Sequence, residues 1–161
     1  LIEQGVRFRA VGRHELLPPS AQHWVRTTEK ETAHLEKLVL TVALSYGGRA
    51  EIVDAVKAVV RDVQAGTIQA ELIDEPTVQR HLSTHPLPDP DLLIRTSGEA
   101  RISNFLLWQL AYTEMYFTEC LWPDFDEHEF RTALTSYARR QRRFGRTGEQ
   151  IDATEVVPAG I

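Results

Sequence analysis

The stretch from Asp91 to Phe125, which joins an apolar run to a polar turn, constrains the fold most strongly. Leu92–Ile94 carry no charge, so they predict a short buried strand of a parallel sheet that is covered on both faces. From residue 104 onward, apolar residues recur at three- and four-residue spacing. This spacing predicts a helix, with Ser103 as its N-cap. A buried strand that leads through a turn into a helix is typical of α/β folds.

Cationic and hydroxyl side chains gather in the turn that follows this strand, among them Arg95, Arg101 and Ser103. In α/β sheets, ligands bind beyond the carboxyl ends of the strands. Arginine binds phosphate oxygens in pairs, and a helix N-terminus favours an anion. The turn therefore predicts a phosphate or diphosphate pocket. The alternative is that the two arginines form surface pairs with Asp91 and Glu99.

Apolar strands and amphipathic helices alternate along the rest of the chain. Strands are predicted at 6–11, 38–45 and 115–117, and helices at 21–37, 50–65, 71–82 and 126–143. The second strand is apolar nearly throughout, which predicts a central position in the sheet. The fold class is therefore α/β, with a parallel, Rossmann-like central sheet flanked by helices. Residues 1–146 are expected to belong to one domain, and 147–161, which lack periodicity, to form a loose tail.

Three further features of the sequence each allow two interpretations. The segment Tyr46–Arg49 either lines the same crevice or is a tight connection with a surface arginine. His81 and His85 stand four residues apart, but no third ligand is near in sequence, so solvated or capping roles are favoured over a metal pair. Asp124, with Glu127 three residues later, is expected to cap the last helix rather than to bind a metal.

Composition narrows the choice of partners and compartment. The net charge of −5 argues against a general attraction to nucleic acid or anionic lipid. The arginine cluster Arg139–Arg146 is explained by the helix dipole, which stabilises cations near a helix C-terminus. The alternative is that this cluster contacts a diphosphate, a lipid headgroup or RNA. The single cysteine, Cys120, excludes an intrachain disulfide and a multi-cysteine zinc site. It fits a reducing cytoplasm.

Three segments of the chain, IRTSGEARISNFLLWQLAYTEMYF, LWPDFDEHEF and RRQRRFG, closely resemble the cis-prenyltransferases of the undecaprenyl diphosphate synthase family. The resemblance extends over about 5–145. The family's Asp-Gly-Asn-Gly-Arg-Trp loop is absent from this sequence. The resemblance therefore implies an N-terminally truncated protein that lacks the first strands and helices of its sheet.

The resemblance also implies roles for individual residues. Four of them are expected to bind the diphosphate of isopentenyl diphosphate: Arg95, Arg101, Ile102 and Ser103. Glu114 is expected to bind Mg²⁺. No residue of this chain is assigned a certain catalytic role. The Asp-Asp-x-x-Asp motif of trans-prenyltransferases does not occur in the sequence.

The implied reaction condenses isopentenyl diphosphate with an allylic prenyl diphosphate, expected to be farnesyl diphosphate, to give a cis-polyprenyl diphosphate. Such a product is the undecaprenyl-type lipid carrier of cell wall synthesis. The resemblance implies a cytoplasmic homodimer that touches the membrane surface during product release. The chain holds only the isopentenyl diphosphate half of the site, so it is expected to be inactive alone. A non-catalytic accessory subunit and a phosphate- or RNA-binding module are the alternatives; the intact RTSGEARIS motif favours the enzyme.

Overall fold

The computed structural model of the chain describes residues 1–140, in which strands and helices alternate. The elements are β1 (Val6–Val11), α1 (Pro19–Thr32), β2 (Leu38–Ala43), α2 (Gly48–Gln64), α3 (Glu75–Arg80), β3 (Leu92–Arg95), β4 (Glu114–Phe117) and α4 (Glu127–Ala138). Both strand pairs are parallel, which confirms the α/β class. The predicted tail at 147–161 and the predicted end of the last helix at 143 lie outside the described residues.

The described residues form two units. The first contains residues 1–88 together with 104–106, and the second contains 89–103 and 107–140. The expectation that 1–146 form one domain stays a prediction. No helix within residues 1–140 is both long and apolar enough to cross a bilayer.

The first unit is built on the parallel pair β1–β2, with Val6 opposite Leu38 at one end of the register. Phe8 of β1 is 3% exposed, and its ring lies edge-on to Trp24 of α1 at 5.2 Å. The buried Thr32 hydroxyl accepts a hydrogen bond from Phe8 N at 3.0 Å. The last turn of α1 therefore satisfies a buried backbone donor of β1, as such groups require.

The predicted central position of β2 is wrong for the described part of the chain. Leu38, Val39 and Leu40 remain 58%, 38% and 42% exposed. Among the described strands, β2 pairs with β1 alone. An apolar strand can thus have the composition of a central strand while one of its edges has no neighbour.

The second unit contains the parallel pair β3–β4, and α4 follows it. All four residues of β3 are only half-buried, so the prediction of a buried strand covered on both faces is wrong for the described part of the chain. The helix predicted from residue 104 is absent: residues 103–112 form turns, and Ser103, Asn104 and Leu106 have positive φ angles of 46°, 62° and 43°. Left-handed residues interrupt the helical hydrogen-bond pattern, so Ser103 caps no helix. The predicted cap of α4 is also wrong, since Asp126 rather than Asp124 accepts the capping bond from the backbone, here from Glu129 N at 3.0 Å.

Candidate functional site

The turn after β3 is tied to the chain that follows β4. The Arg95 carbonyl accepts a hydrogen bond from Thr118 N at 2.9 Å. Ser97 N donates to Cys120 O at 2.8 Å, and Gly98 N donates to Thr118 O at 2.9 Å. These bonds engage the amide groups of Ser97 and Gly98. An anion at this turn would therefore not be held by those two amides.

The two arginines of the turn differ in their surroundings. Arg101 forms an ion pair with Glu99, and its side chain is 69% exposed. The surface-pair interpretation therefore holds for Arg101, although an exposed pair is worth little and can be exchanged for a phosphate. Arg95 is half-buried, and within residues 1–140 its guanidinium forms no ion pair. Among the residues that the structure describes, this half-buried cation without a counter-ion is the strongest anion-binding feature of the turn.

The remaining predicted residues of the turn contribute less. Ile102 is half-buried and Ser103 is exposed. Because no helix starts at Ser103, the helix dipole expected there does not reinforce the pocket. Burial, followed by the nearby Glu129 carboxylate, raises the pKa of the Cys120 thiol, which disfavours a reactive thiolate beside the turn.

Glu114 lies away from Arg95 although both belong to neighbouring strands. The register pairs Leu92 with Glu114 and Arg95 with Phe117, so the two charged residues stand at opposite ends of the strand pair. Three residues of strand separate them by about 10 Å. Side chains alternate between the faces of a sheet, so an odd offset also places them on opposite faces. The structure does not bring these two predicted site residues together.

The Glu114 carboxylate already has a cationic partner. Arg140 Nη1 donates to Glu114 Oε2 at 2.9 Å and to the Met115 carbonyl at 2.8 Å. Both side chains are half-buried, at 27% exposed for Glu114 and 35% for Arg140. No local sequence pattern indicates this pair, because 26 residues separate its members.

Glu114 suits Mg²⁺ as a ligand but does not form a metal site alone. Mg²⁺ prefers oxygen and takes one or two carboxylates along with waters and substrate phosphates. Arg140 bonds to Oε2, so Oε1 is the oxygen left for an ion. Within residues 1–140 no group of three His, Cys, Asp or Glu residues could hold a metal. An ion on Glu114 would not reach a diphosphate held by Arg95 of the same chain.

The N-terminus of α2 is closed by a distant asparagine. Gly48 N donates to the Asn104 carbonyl at 2.7 Å, and Arg49 N donates to Asn104 Oδ1 at 2.9 Å. A Cβ atom added at Gly47 would lie 2.8 Å from Asn104 Nδ2, which explains the small residue there. Asn104 thus takes the place that an anion would occupy at this helix end. Arg49 is exposed, as the surface-arginine interpretation requires.

Sequence reasoning missed a polar cavity of about 270 Å³ where β1 and β2 end. Arg13 pairs with Asp54 across its wall at 2.9 Å. Glu51 accepts a hydrogen bond from the Tyr46 hydroxyl at 2.5 Å and another from Ser83 N at 3.1 Å. The strand-end rule, applied to the turn after β1, would have pointed to it.

Both ring nitrogens of His81 are engaged by neighbouring oxygen atoms, so the residue is structural rather than a metal ligand. Its Nδ1 lies 2.7 Å from Thr77 O, and its Nε2 lies 2.9 Å from Asp62 Oδ2. The Thr77 carbonyl, followed by Asp62, raises the pKa of His81. Both ring nitrogens are engaged by acceptors, so neither offers a lone pair to a metal. The capping role that the sequence favoured for this histidine fits this geometry.

Comparison with known proteins shows the family. The sequence model described as "Putative undecaprenyl diphosphate synthase" matches residues 1–145. The chain therefore belongs to the undecaprenyl diphosphate synthase family of prenyltransferases, and the predicted resemblance is confirmed.

Individual relatives agree with the family model. An isoprenyl transferase of Geobacillus kaustophilus is 51% identical over 145 residues, which are 90% of this chain and 56% of that protein. A (2E,6E)-farnesyl-diphosphate-specific ditrans,polycis-undecaprenyl-diphosphate synthase of Legionella pneumophila is 47% identical, over 92% of this chain and 63% of that one. The chain thus spans a little over half the length of the curated relatives it matches.

Solved structures with the same fold include related enzymes. Lavandulyl diphosphate synthase from Lavandula x intermedia, in complex with dimethylallyl diphosphate, superposes with a TM-score of 0.86 at 41% identity. The alignment covers 89% of this chain and 61% of that one. A probable undecaprenyl diphosphate synthase from Campylobacter jejuni gives a TM-score of 0.78 at 33% identity, over 91% of this chain and 66% of that one.

Proposed function

We propose that this chain supplies the isopentenyl diphosphate-binding part of a cis-prenyltransferase. The observation that carries the proposal is the position of Arg95, the half-buried last residue of β3, whose side chain has no ion-pair partner within residues 1–140. The intact motif continues through Arg101, Ile102 and Ser103. Relatives named isoprenyl transferase and undecaprenyl diphosphate synthase support this substrate class.

In the proposed reaction, the allylic C–O bond breaks and its electron pair leaves with the diphosphate. The alkene of isopentenyl diphosphate forms the new C–C bond to the allylic carbon, and loss of a proton then restores a double bond. Arg95 and Arg101 would bind and orient the isopentenyl diphosphate headgroup. Because both substrates are then held in position, the reaction between them becomes effectively intramolecular.

The proposal also covers the metal ion, the oligomeric state, the substrates and the cellular location of the protein. Mg²⁺ would neutralise the charge of a diphosphate other than the one that Arg95 of the same chain holds, with Glu114 as one of its ligands. A homodimer would cover the apolar side chains that remain exposed on β4 and α4, such as Phe117, Phe130 and Leu134 at 41%, 46% and 42%. Farnesyl diphosphate is the proposed allylic substrate and an undecaprenyl-type lipid carrier the proposed product. We place the protein in the cytoplasm, with membrane contact at product release.

Titration calorimetry with isopentenyl diphosphate tests this assignment on Arg101. Replacing Arg101 by Ala removes a charge-assisted contact and should weaken binding by about 2 kcal/mol, or about 30-fold. Replacing Glu99 by Gln frees Arg101 from its pair and should tighten binding slightly. An unchanged affinity in both variants contradicts the assignment. Binding of single-stranded RNA in place of isopentenyl diphosphate would favour the nucleic-acid module.

The accessory-subunit alternative is tested by turnover. The chain alone is expected to give no product from radiolabelled isopentenyl diphosphate and farnesyl diphosphate, because it spans 56% of the Geobacillus relative and lacks that family's N-terminal motif. Product formed by this chain would overturn the expected inactivity. It would also exclude the accessory-subunit alternative.

A further inference from the structure

Three residues of the segment 103–106 have left-handed backbones although none of them is glycine. Ser103, Asn104 and Leu106 have φ angles of 46°, 62° and 43°. Asparagine visits this region more readily than serine or leucine. Such backbones persist only where surrounding contacts hold them, and they cluster at ligand-binding sites. The segment directly follows Ile102 of the predicted diphosphate motif, so the contacts that hold the segment bear on that motif.

Asn104 is held by two hydrogen bonds from the start of α2. Its carbonyl accepts from Gly48 N at 2.7 Å, and its Oδ1 accepts from Arg49 N at 2.9 Å. The carboxamide also lies so close to Gly47 that a Cβ atom there would be 2.8 Å from Nδ2. Gly47 is the N-cap of α2 and has no side chain that could accept from these amides. Asn104 thus satisfies two open donors of the helix, and these bonds fix its own conformation.

The residue after Asn104 strengthens the same attachment. The ring of Phe105 lies edge-on to the ring of Tyr46, with centroids 5.9 Å apart and an angle of 74° between the planes. The Tyr46 hydroxyl in turn donates to Glu51 Oε2 on α2 at 2.5 Å. Residues 104 and 105 are therefore held by polar and aromatic contacts, all of which lie within the first unit.

Ser103 has no comparable support of its own. It is exposed, and within residues 1–140 its hydroxyl has no hydrogen-bond partner. The direction of its side chain is therefore set by its backbone, which joins Asn104 through a planar peptide group. We propose that Asn104 is a positioning residue, which fixes this peptide and so aims the Ser103 hydroxyl at the diphosphate of isopentenyl diphosphate. The inference rests on the proposed function and adds a residue that acts through Ser103 alone.

Titration calorimetry with isopentenyl diphosphate measures the contribution of Asn104. Asn104→Gly removes the side-chain acceptor but leaves a left-handed backbone accessible. It should weaken binding about fivefold, as loss of one hydrogen bond would. Asp74→Ala is the matched control, because it removes the cap of α3, where Asp74 Oδ1 accepts from Thr77 N at 2.8 Å. The control should lose stability and bind as the parent chain does. Equal affinities for Asn104→Gly and the parent chain would overturn the inference.

A double-mutant cycle separates positioning from a general loss of structure. Ser103→Ala alone should weaken binding, and adding Asn104→Gly to it should cost nothing further, because the asparagine acts only through that hydroxyl. Added to Arg95→Gln, the same change should again cost about fivefold. A loss of similar size in the Ser103→Ala background would overturn the inference, since Asn104 would then be merely structural.

Nuclear magnetic resonance gives a readout in the parent chain itself. Asn104 is the only asparagine of the sequence, so protein made with isotope-labelled asparagine gives one backbone amide signal. Isopentenyl diphosphate should shift this signal, and Ser103→Ala should reduce the shift. If Asn104→Gly does not fold, a signal that stays in place while calorimetry shows binding overturns the inference and leaves the proposed function intact. No binding by the parent chain would contradict the proposed function itself.

Discussion

Replacing Gly98 by Ala perturbs the turn that carries both arginines. Gly98 has a φ of +66°, and a Cβ atom there would overlap the Glu119 carboxylate and lie 3.0 Å from its Cδ. Gly66 is the matched control, with a φ of +74° and nothing within 4 Å of the position that a Cβ atom would take. Alanine in the left-handed region costs about 1 kcal/mol at either position. The gain from a less flexible unfolded chain is the same for both variants and cancels in the comparison.

The contact with Glu119 should add a second, separable cost. Glu119 is exposed and its carboxylate is the flexible end of the side chain, so it can turn aside rather than force the backbone to move. Displacing it into a poorer rotamer costs about 1 kcal/mol. We therefore expect Gly98→Ala to lower the free energy of unfolding by about 1 kcal/mol more than Gly66→Ala does.

Urea unfolding followed by circular dichroism measures these differences, and a double-mutant cycle isolates the Glu119 contribution. Adding Glu119→Ala to Gly98→Ala should recover about 1 kcal/mol, whereas adding it to Gly66→Ala should recover nothing. Equal losses for the two glycine variants, or no recovery in the double variant, would refute the described packing of the turn against Glu119.

The remaining predictions concern pH and helix capping. Since the folded protein raises the pKa of His81, the unfolded chain binds fewer protons near neutrality, and stability should fall as the pH rises from about 6.5 through the folded value. Asp62→Asn should flatten that part of the profile, and a profile that keeps its slope would contradict the role of the pair. Asp126→Ala should destabilise the chain by about 1 kcal/mol in thermal unfolding, through loss of the α4 cap. Asp124→Ala should cost less than half of that, and equal losses would restore Asp124 as a cap.

Several strands and helices could be predicted from the local sequence alone. The uncharged run at 92–94 predicted β3 to within one residue, because few other structures suit such a run beside a polar turn. The helix predicted at 71–82 is present but shorter, because α3 begins only after its cap at Asp74 and spans Glu75–Arg80. The start of α4 was harder, since Asp124 and Asp126 offer the same capping chemistry and a short helical turn, Trp122–Asp124, precedes the true cap.

Other features depended on residues far apart in the chain. The periodicity from residue 104 predicted a helix. In the structure, the oxygen atoms of Asn104 instead accept hydrogen bonds from the N-terminus of α2, and one of these donors, Arg49 N, lies 55 residues earlier in the sequence. The register of β3 and β4, which separates Arg95 from Glu114, is set by pairing and not by either strand alone. Tertiary contacts of this kind leave no local pattern in the sequence.

The affinity of the chain for isopentenyl diphosphate, before and after Arg95→Gln, tests the central claim most directly. Arg131→Gln is the control, because Arg131 is 74% exposed and pairs with Glu127 on the surface of α4. We predict that loss of the Arg95 charge weakens binding by about 1.5–3 kcal/mol, which is at least tenfold, while the control binds as the parent chain does. Equal affinities for the parent chain and Arg95→Gln would contradict a diphosphate site at the β3 turn.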